Sequence, residues 1–261
     1  MKRTEIPRIP FPLPKQIQRA IDGGKIYDSS SSPEARVYYI DKSGGLFLKS
    51  APSGALRAEA QMTEYMHSMG LAPEVIEYLS GDRDIMLSRR LRGEDCTHPD
   101  YLADPYRLAE LTGAKLRTLH SIDHSLCPRR DRMAEYIRTV DENYKKGLFD
   151  PSYTEGESLF RNAEEAYAVF SEGRSLLCSD TLIHGDYCLP NIILDGWGLS
   201  GFIDLGNGGV GDRHVDIYWG AWTLKFNTGT DVYRDTFLNA YGRDRIDGDA
   251  LRVIAAAECF G

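Results

Sequence analysis

The sequence predicts an α+β fold: a small β-rich front followed by a larger, mostly helical back. Three observations carry this. Strand-like runs crowd residues 36–88, helical periodicity dominates 104–172 and returns from 214 onward, and three short strands with polar ends interrupt the helical half at 181–204. No Gly-x-Gly-x-x-Gly lies between a strand and a helix, so a Rossmann domain has no support.

Taken in order, the opening MKRTEIPRIPFPLPKQ is broken by prolines and lacks the apolar stretch of a signal peptide. SSSS at 29–32, then Pro33, reads as a polar turn. RVYYI (36–40) is rich in β-branched and aromatic residues, and LFLK (46–49) returns after a Ser-Gly-Gly turn, making a hairpin that ends on Lys49. Residues 54–69 read as a helix with an exit at Gly70 and Pro73. VIEYL (75–79) and DIMLS (84–88) form a second hairpin. The character changes near 89–93, which sets a front region of 1–90 and a back region of 91–261. Leu108, Leu111, Leu116 and Leu119 share one side of a helix at 104–121. Further helices are expected at 131–147, 156–172, 214–226, 231–241 and 249–260, with strands TLIH (181–184), NIIL (191–194) and SGFID (200–204) between them.

Composition narrows the function. The chain has 261 residues and a formal net charge of −8, without the basic face of a nucleic-acid binder. An acidic balance suits a cationic small substrate, though it also serves plain solubility. Five scattered cysteines with no Cys-x-x-Cys pair point to free thiols in a cytoplasmic setting. No run is long and apolar enough for a membrane span. Oligomeric state is not legible.

The informative stretch is TLIHGDYCLPNIILDGWGLSGFIDLGNGG, residues 181–209. It sets Asp186, Asn191 and Asp204 at neighbouring strand ends. Phosphoryl transfer from a nucleotide needs this set: one carboxylate to orient and deprotonate the attacking hydroxyl, and an amide and a second carboxylate as hard oxygen ligands for Mg²⁺. A metal hydrolase built on His184, Asp186, Asp204, His214 and Asp216 is the rival, but it leaves Asn191 and the front sheet without a task. A turn-rich hairpin with capping Asp and Asn is the bland alternative. Lys49 on a strand, followed by Glu59 early in a helix, adds the lysine–glutamate pair that grips nucleotide phosphates. The serine-rich turn sits where a glycine-rich phosphate loop would be, and Ser32 is its candidate contact.

On these residues the chain resembles the aminoglycoside 3'-phosphotransferases, the kanamycin kinases. The likeness rests on HGDYCLPNIILDGWGLSGFIDLGNGGVGDRHVDI, on LFLKSAPSGALRAEAQM, on LRTLHSIDHSLCP and on the terminal ECFG. It implies a two-lobed, protein-kinase-like fold and transfer of the γ-phosphate of ATP, or of GTP, to an aminoglycoside 3'-hydroxyl, an antibiotic-resistance activity. It also implies Asp186 as the catalytic residue, Asn191 and Asp204 as Mg²⁺ ligands, and Lys49 and Glu59 at the phosphates. Arg89 and Leu91 fall where the family's linker meets adenine. His184 and Asp216 become organisers of the loop. Asp150, Glu155, Glu157, Glu258 and the carboxylate of Gly261 are its candidates for gripping amines. Two departures touch the acceptor side: the family has Arg where this chain has Asn207, and an acid where it has Ala257. They leave room for a related kinase acting on another amino sugar or amino alcohol. The intact Lys49, Glu59, Asp186, Asn191 and Asp204 speak against a catalytically silent scaffold.

Overall fold

The computed structural model describes residues 3–30, 35–153 and 159–261. The chain divides into two compact units: Met1–Gly93 with Ile193–Gly206, and Glu94–Ile192 with Asn207–Gly261.

The first unit begins with β1 (Thr4–Ile6), α1 (Lys15–Ile21), β2 (Lys25–Asp28), β3 (Arg36–Asp41), β4 (Leu46–Pro52), α2 (Arg57–His67), β5 (Val75–Ser80) and β6 (Arg83–Arg89). Its antiparallel sheet runs β1-β2-β3-β4-β6-β5. One face buries Tyr38, Ile40, Leu46, Leu48 and Leu87 against Ile17 and Ile21 of α1. The other packs Ala51 and Met86 against Leu56 and Ala60 at the start of α2. Side chains alternate along a strand, so Leu48 faces α1 while Lys49 faces the side of α2.

Both predicted hairpins are present. The strand bearing Lys49 runs on to Pro52, so the lysine lies inside β4, between Val37 and Met86, and does not end it. Helix α2 starts at Arg57, later than expected, because residue 54 is a glycine at φ 85° that turns the chain. The buried Asp84 then accepts hydrogen bonds from Gly54 N–H (2.9 Å) and Leu56 N–H (2.8 Å). It also accepts from Tyr78 Oη and Ser80 Oγ. This places a carboxylate at a helix N-terminus, where unpaired N–H groups and the helix dipole favour it. Sequence reading missed β1, α1 and β2. A seven-residue helix among prolines is too short to be stable alone; burial of Ile17 and Ile21, one turn apart, holds it.

The second unit continues with β7 (Glu94–Asp95), α3 (Pro99–Leu102), α4 (Pro105–Leu119), α5 (Arg132–Lys145), α6 (Ala163–Gly173) and β8 (Thr181–Ile183). The chain then runs through β9 (Ile192–Asp195) and β10 (Gly198–Phe202), which lie in the first unit from Ile193 onward. It ends with β11 (Gly209–Gly211), α7 (Arg213–Thr228), α8 (Arg234–Tyr241) and α9 (Gly248–Glu258). Strand β11 pairs antiparallel with β8. Asp104, Asn162, Asp212 and Asp247 cap α4, α6, α7 and α9 by accepting backbone N–H bonds. The core joins Met133, Tyr136 and Val140 of α5 to Phe170, Val215, Val253 and Phe260. The helix expected from 156 is α6, starting at Ala163; residues 154–158 lie outside the described ones. Strand β10 stops at Phe202, two residues short of Asp204. No described helix is long and apolar enough to cross a membrane.

Candidate active site

In the first unit three charged groups meet. Lys49 Nζ lies 2.9 and 2.8 Å from the two carboxylate oxygens of Glu59 and 2.8 Å from Asp204 Oδ1. Asp204 reaches it from a left-handed backbone, φ 57°, in the turn after β10. That conformation is uncommon for a non-glycine residue and accounts for the strand ending early. Burial alone would lower the Lys49 pKa, but Asp204 and Glu59 outweigh it and hold the ammonium above its ordinary value. Burial pushes Glu59 up, and Lys49 pulls it back. The lysine is therefore charged and fixed in place.

In the second unit, β8 delivers His184 to a turn. Gly185 has φ 81°, and a Cβ there would come 2.0 Å from Asn207 O. Only glycine lets the loop close on residue 207. Asn191 Nδ2 donates to Asp186 Oδ2 (2.8 Å) and to Asp186 O (3.0 Å), so one carboxylate oxygen is oriented by the amide. The fully buried Asp216 accepts from His184 N–H and Gly185 N–H, each at 2.7 Å. His120 Nε2 lies 3.0 Å from the same carboxylate, and His120 Nδ1 lies 2.9 Å from Tyr241 Oη. A carboxylate can only accept here, so Nε2 carries the proton. His184 and Asp216 thus sit as loop organisers. His214 is held by Asp212 and by Asp247 N–H. Asp186 N–H donates to His184 Nδ1, Asn191 holds Asp186 Oδ2 and Lys49 holds Asp204, so all five residues of the metal-hydrolase alternative have other partners. Among the described residues no three such side chains converge on a metal.

Asp186 opens into a cavity of about 670 Å³ that lies wholly in the second unit. Glu258 and Gly261 line it too. Asp150 does not: it is exposed, and its carboxylate accepts from Ser152 N–H. Ser32, Glu155 and Glu157 lie outside the described residues. Arg89 is exposed, and its N–H already goes to Glu74 O at 2.9 Å; Leu91 is half-buried. Sequence reading missed the face of α5 that forms one wall. Arg132, Glu135, Tyr136 and Thr139 follow helical spacing and all line the cavity. The charges on that face look like a solvated surface in the sequence, because nothing local reports what lies opposite.

Glu258 is 6% exposed and accepts a 2.7 Å bond from Tyr136 Oη. Burial pushes its pKa from 4.5 up to about 7, against the pull of Tyr136 and Arg132. A carboxyl raised in the fold binds its proton more tightly there than in the unfolded chain. Its contribution is full below about pH 4.5 and is lost as pH rises through about 7. Over that window the loss is roughly 3 kcal/mol. Denaturant unfolding from pH 5 to pH 8 should therefore show a steeper loss of stability in the wild type than in Glu258→Gln. Equal slopes would remove Glu258 as the cause.

The comparisons with known proteins agree on one family. The sequence model described as the phosphotransferase enzyme family matches residues 30–254. A probable aminoglycoside 3'-phosphotransferase of Lactococcus lactis is 46% identical over 250 residues, covering 95% of each chain. An aminoglycoside 3'-phosphotransferase of Niallia circulans is 33% identical over 222 residues, covering 83% of this chain and 84% of that one. Among solved structures, an aminoglycoside-3'-phosphotransferase of type VIII shares the fold with a TM-score of 0.76 at 22% identity, over 95% of this chain and 97% of that one. An aminoglycoside phosphotransferase from Streptomyces rimosus, solved with ADP and streptomycin, shares it at 0.70 and 21% identity, over 86% and 90%.

Proposed function

The chain belongs to the phosphotransferase enzyme family, and we propose that it transfers the γ-phosphate of ATP to the 3'-hydroxyl of an aminoglycoside. The observation that carries this is the oriented Asp186 carboxylate opening into a cavity that also holds Glu258, in a chain with a 46% identical relative named for that reaction.

In this reading the front unit grips the nucleotide. Lys49, held by Glu59, meets the phosphates, with Ser32 beside them, and the linker at Arg89 and Leu91 meets adenine. Asp186 accepts the proton of the acceptor hydroxyl as its oxygen bonds to phosphorus and the bond to ADP breaks. Asn191 holds one oxygen of Asp186 and leaves the other for the hydroxyl. The amide oxygen of Asn191 and the second carboxylate oxygen of Asp204 have no hydrogen-bond partner among the described residues. Both are hard donors that fit Mg²⁺, which when bound would neutralise phosphate charge. Glu258 and the carboxylate of Gly261, which line the cavity, would meet the amines, with Glu155 and Glu157 as further candidates; Asp150, outside the cavity lining, is left without that role.

The test is a coupled assay of nucleotide consumption, with ATP and GTP, against kanamycin, neomycin and simple amino sugars. NMR of the product then locates the phosphate. Phosphorylation at the 3'-oxygen is the expected result. Turnover of amino sugars alone would replace the aminoglycoside reading with that of a related small-molecule kinase.

A further inference from the structure

The acceptor cavity is not uniformly acidic. Arg129, Arg132 and Arg138 line it together with Asp186, Glu135 and Glu258. Arg129 is neutralised, because it pairs with Glu135 and donates to Gly208 O. Arg132 and Arg138 have no carboxylate within ion-pair distance among the described residues. Arg132 is also fixed. Its Nε donates to Asn207 O at 2.9 Å, its Nη2 lies 3.4 Å from Asn207 Oδ1, and its guanidinium sits 5.5 Å from the centre of the Tyr136 ring. Asn207 O is the atom on which Gly185 closes, so the arginine is tied to the turn that carries Asp186. Burial and the neighbouring Arg129 work against its charge, and Tyr136, Glu135 and Glu258 only partly offset them without forming an ion pair with it. A partly desolvated cation that makes no direct ion pair gains from a ligand that supplies a hydrogen-bond acceptor. The departure at residue 207 therefore does not empty this spot of positive charge; α5 brings a guanidinium to it.

The geometry points to Arg132 and Arg138 as a cationic wall that sets acceptor specificity: the cavity takes an amino-cyclitol or amino sugar that presents a hydroxyl, not an ammonium, to α5. This rests on the acceptor assignment made above. Amines are left to the Glu258 side. An ammonium brought near a fixed guanidinium meets repulsion, whereas a hydroxyl accepts its hydrogen bond.

Matched antibiotics isolate the effect. Paromomycin and neomycin differ by a hydroxyl against an amine at one carbon, and kanamycin A and B differ likewise at another. kcat/KM and calorimetric affinity are measured for all four with the wild type, Arg132→Gln, Arg138→Gln and the double variant. Arg138 is exposed, so its variant should fold, and Gln at 132 keeps an amide for Asn207. For at least one pair, the amine-to-hydroxyl ratio should rise about tenfold in the double variant, mainly through KM. A purely structural role would lower all four compounds together. Turnover with both ratios unchanged overturns the wall and leaves the reaction standing. Binding ratios that shift without any turnover overturn the reaction and leave the wall standing. Binding of none of the four overturns both.

Discussion

Asp186→Ala is expected to lower kcat by about 10²- to 10⁴-fold, the usual contribution of a positioned general base. The reason is geometric. Asn191 Nδ2 holds Asp186 Oδ2 at 2.8 Å, which fixes the direction of the other oxygen before any substrate arrives. Removing the carboxylate removes both the proton acceptor and the element that aligns the hydroxyl. ATP affinity should change little, because Lys49, Glu59 and Asp204 belong to the other unit and keep their contacts. Asp186→Asn separates the two roles: it keeps the shape and an acceptor oxygen but cannot take the proton, so it should be nearly as slow as Ala. Single-turnover rates and nucleotide binding measured on the same preparations make the comparison. A kcat close to wild type in either variant would remove Asp186 from the reaction.

How far the site could be read in the sequence depended on how local its physics is. Asp186 and Asn191 are five residues apart, and the bond between them follows from a single turn. Lys49 and Asp204 are 155 apart, yet each stands out, one as a charge on a strand and the other beside a glycine turn. The fold class and both front hairpins were legible from strand composition and turn residues. Other features were not, because they depend on partners that the pattern does not name. LRTLHSIDHSLCP stood out as a family-like string; the structure supplies a reason in His120, whose ring bridges Asp216 and Tyr241. Asp84 reads in the sequence as an ordinary strand residue, although it holds Gly54 N–H and Leu56 N–H in the turn that leads into the helix carrying Glu59. Helix α1 was hidden because its stability comes from packing against the sheet. Arg132 was hidden because a charged residue at helical spacing reads as solvent-facing, and its meaning depends on Asn207, far along the chain.

The second large effect is expected at Asp216, through stability rather than chemistry. Asp216→Ala deletes an acceptor that serves three donors at once: His184 N–H, Gly185 N–H and the His120 ring. All three lie where water cannot replace it, since Asp216, His184 and the His120 side chain are fully buried. Breaking a buried charged network from one side costs roughly 3–5 kcal/mol, a large fraction of the 5–15 kcal/mol typical of a folded protein. The expected fall in Tm is on the order of 10 °C. Asp216→Asn keeps one acceptor but turns an N–H₂ toward donors, so it should fall between Ala and wild type. His120→Ala leaves both backbone bonds to Asp216 intact and should cost less. Because the two residues share one network, their losses should not add: His120→Ala should cost clearly less in the Asp216→Ala background than in the wild type. Thermal unfolding of the four proteins completes this cycle. A Tm for Asp216→Ala within a couple of degrees of wild type would show that the turn at Gly185 is held by its closure on Asn207 alone, and that the buried carboxylate is dispensable to it.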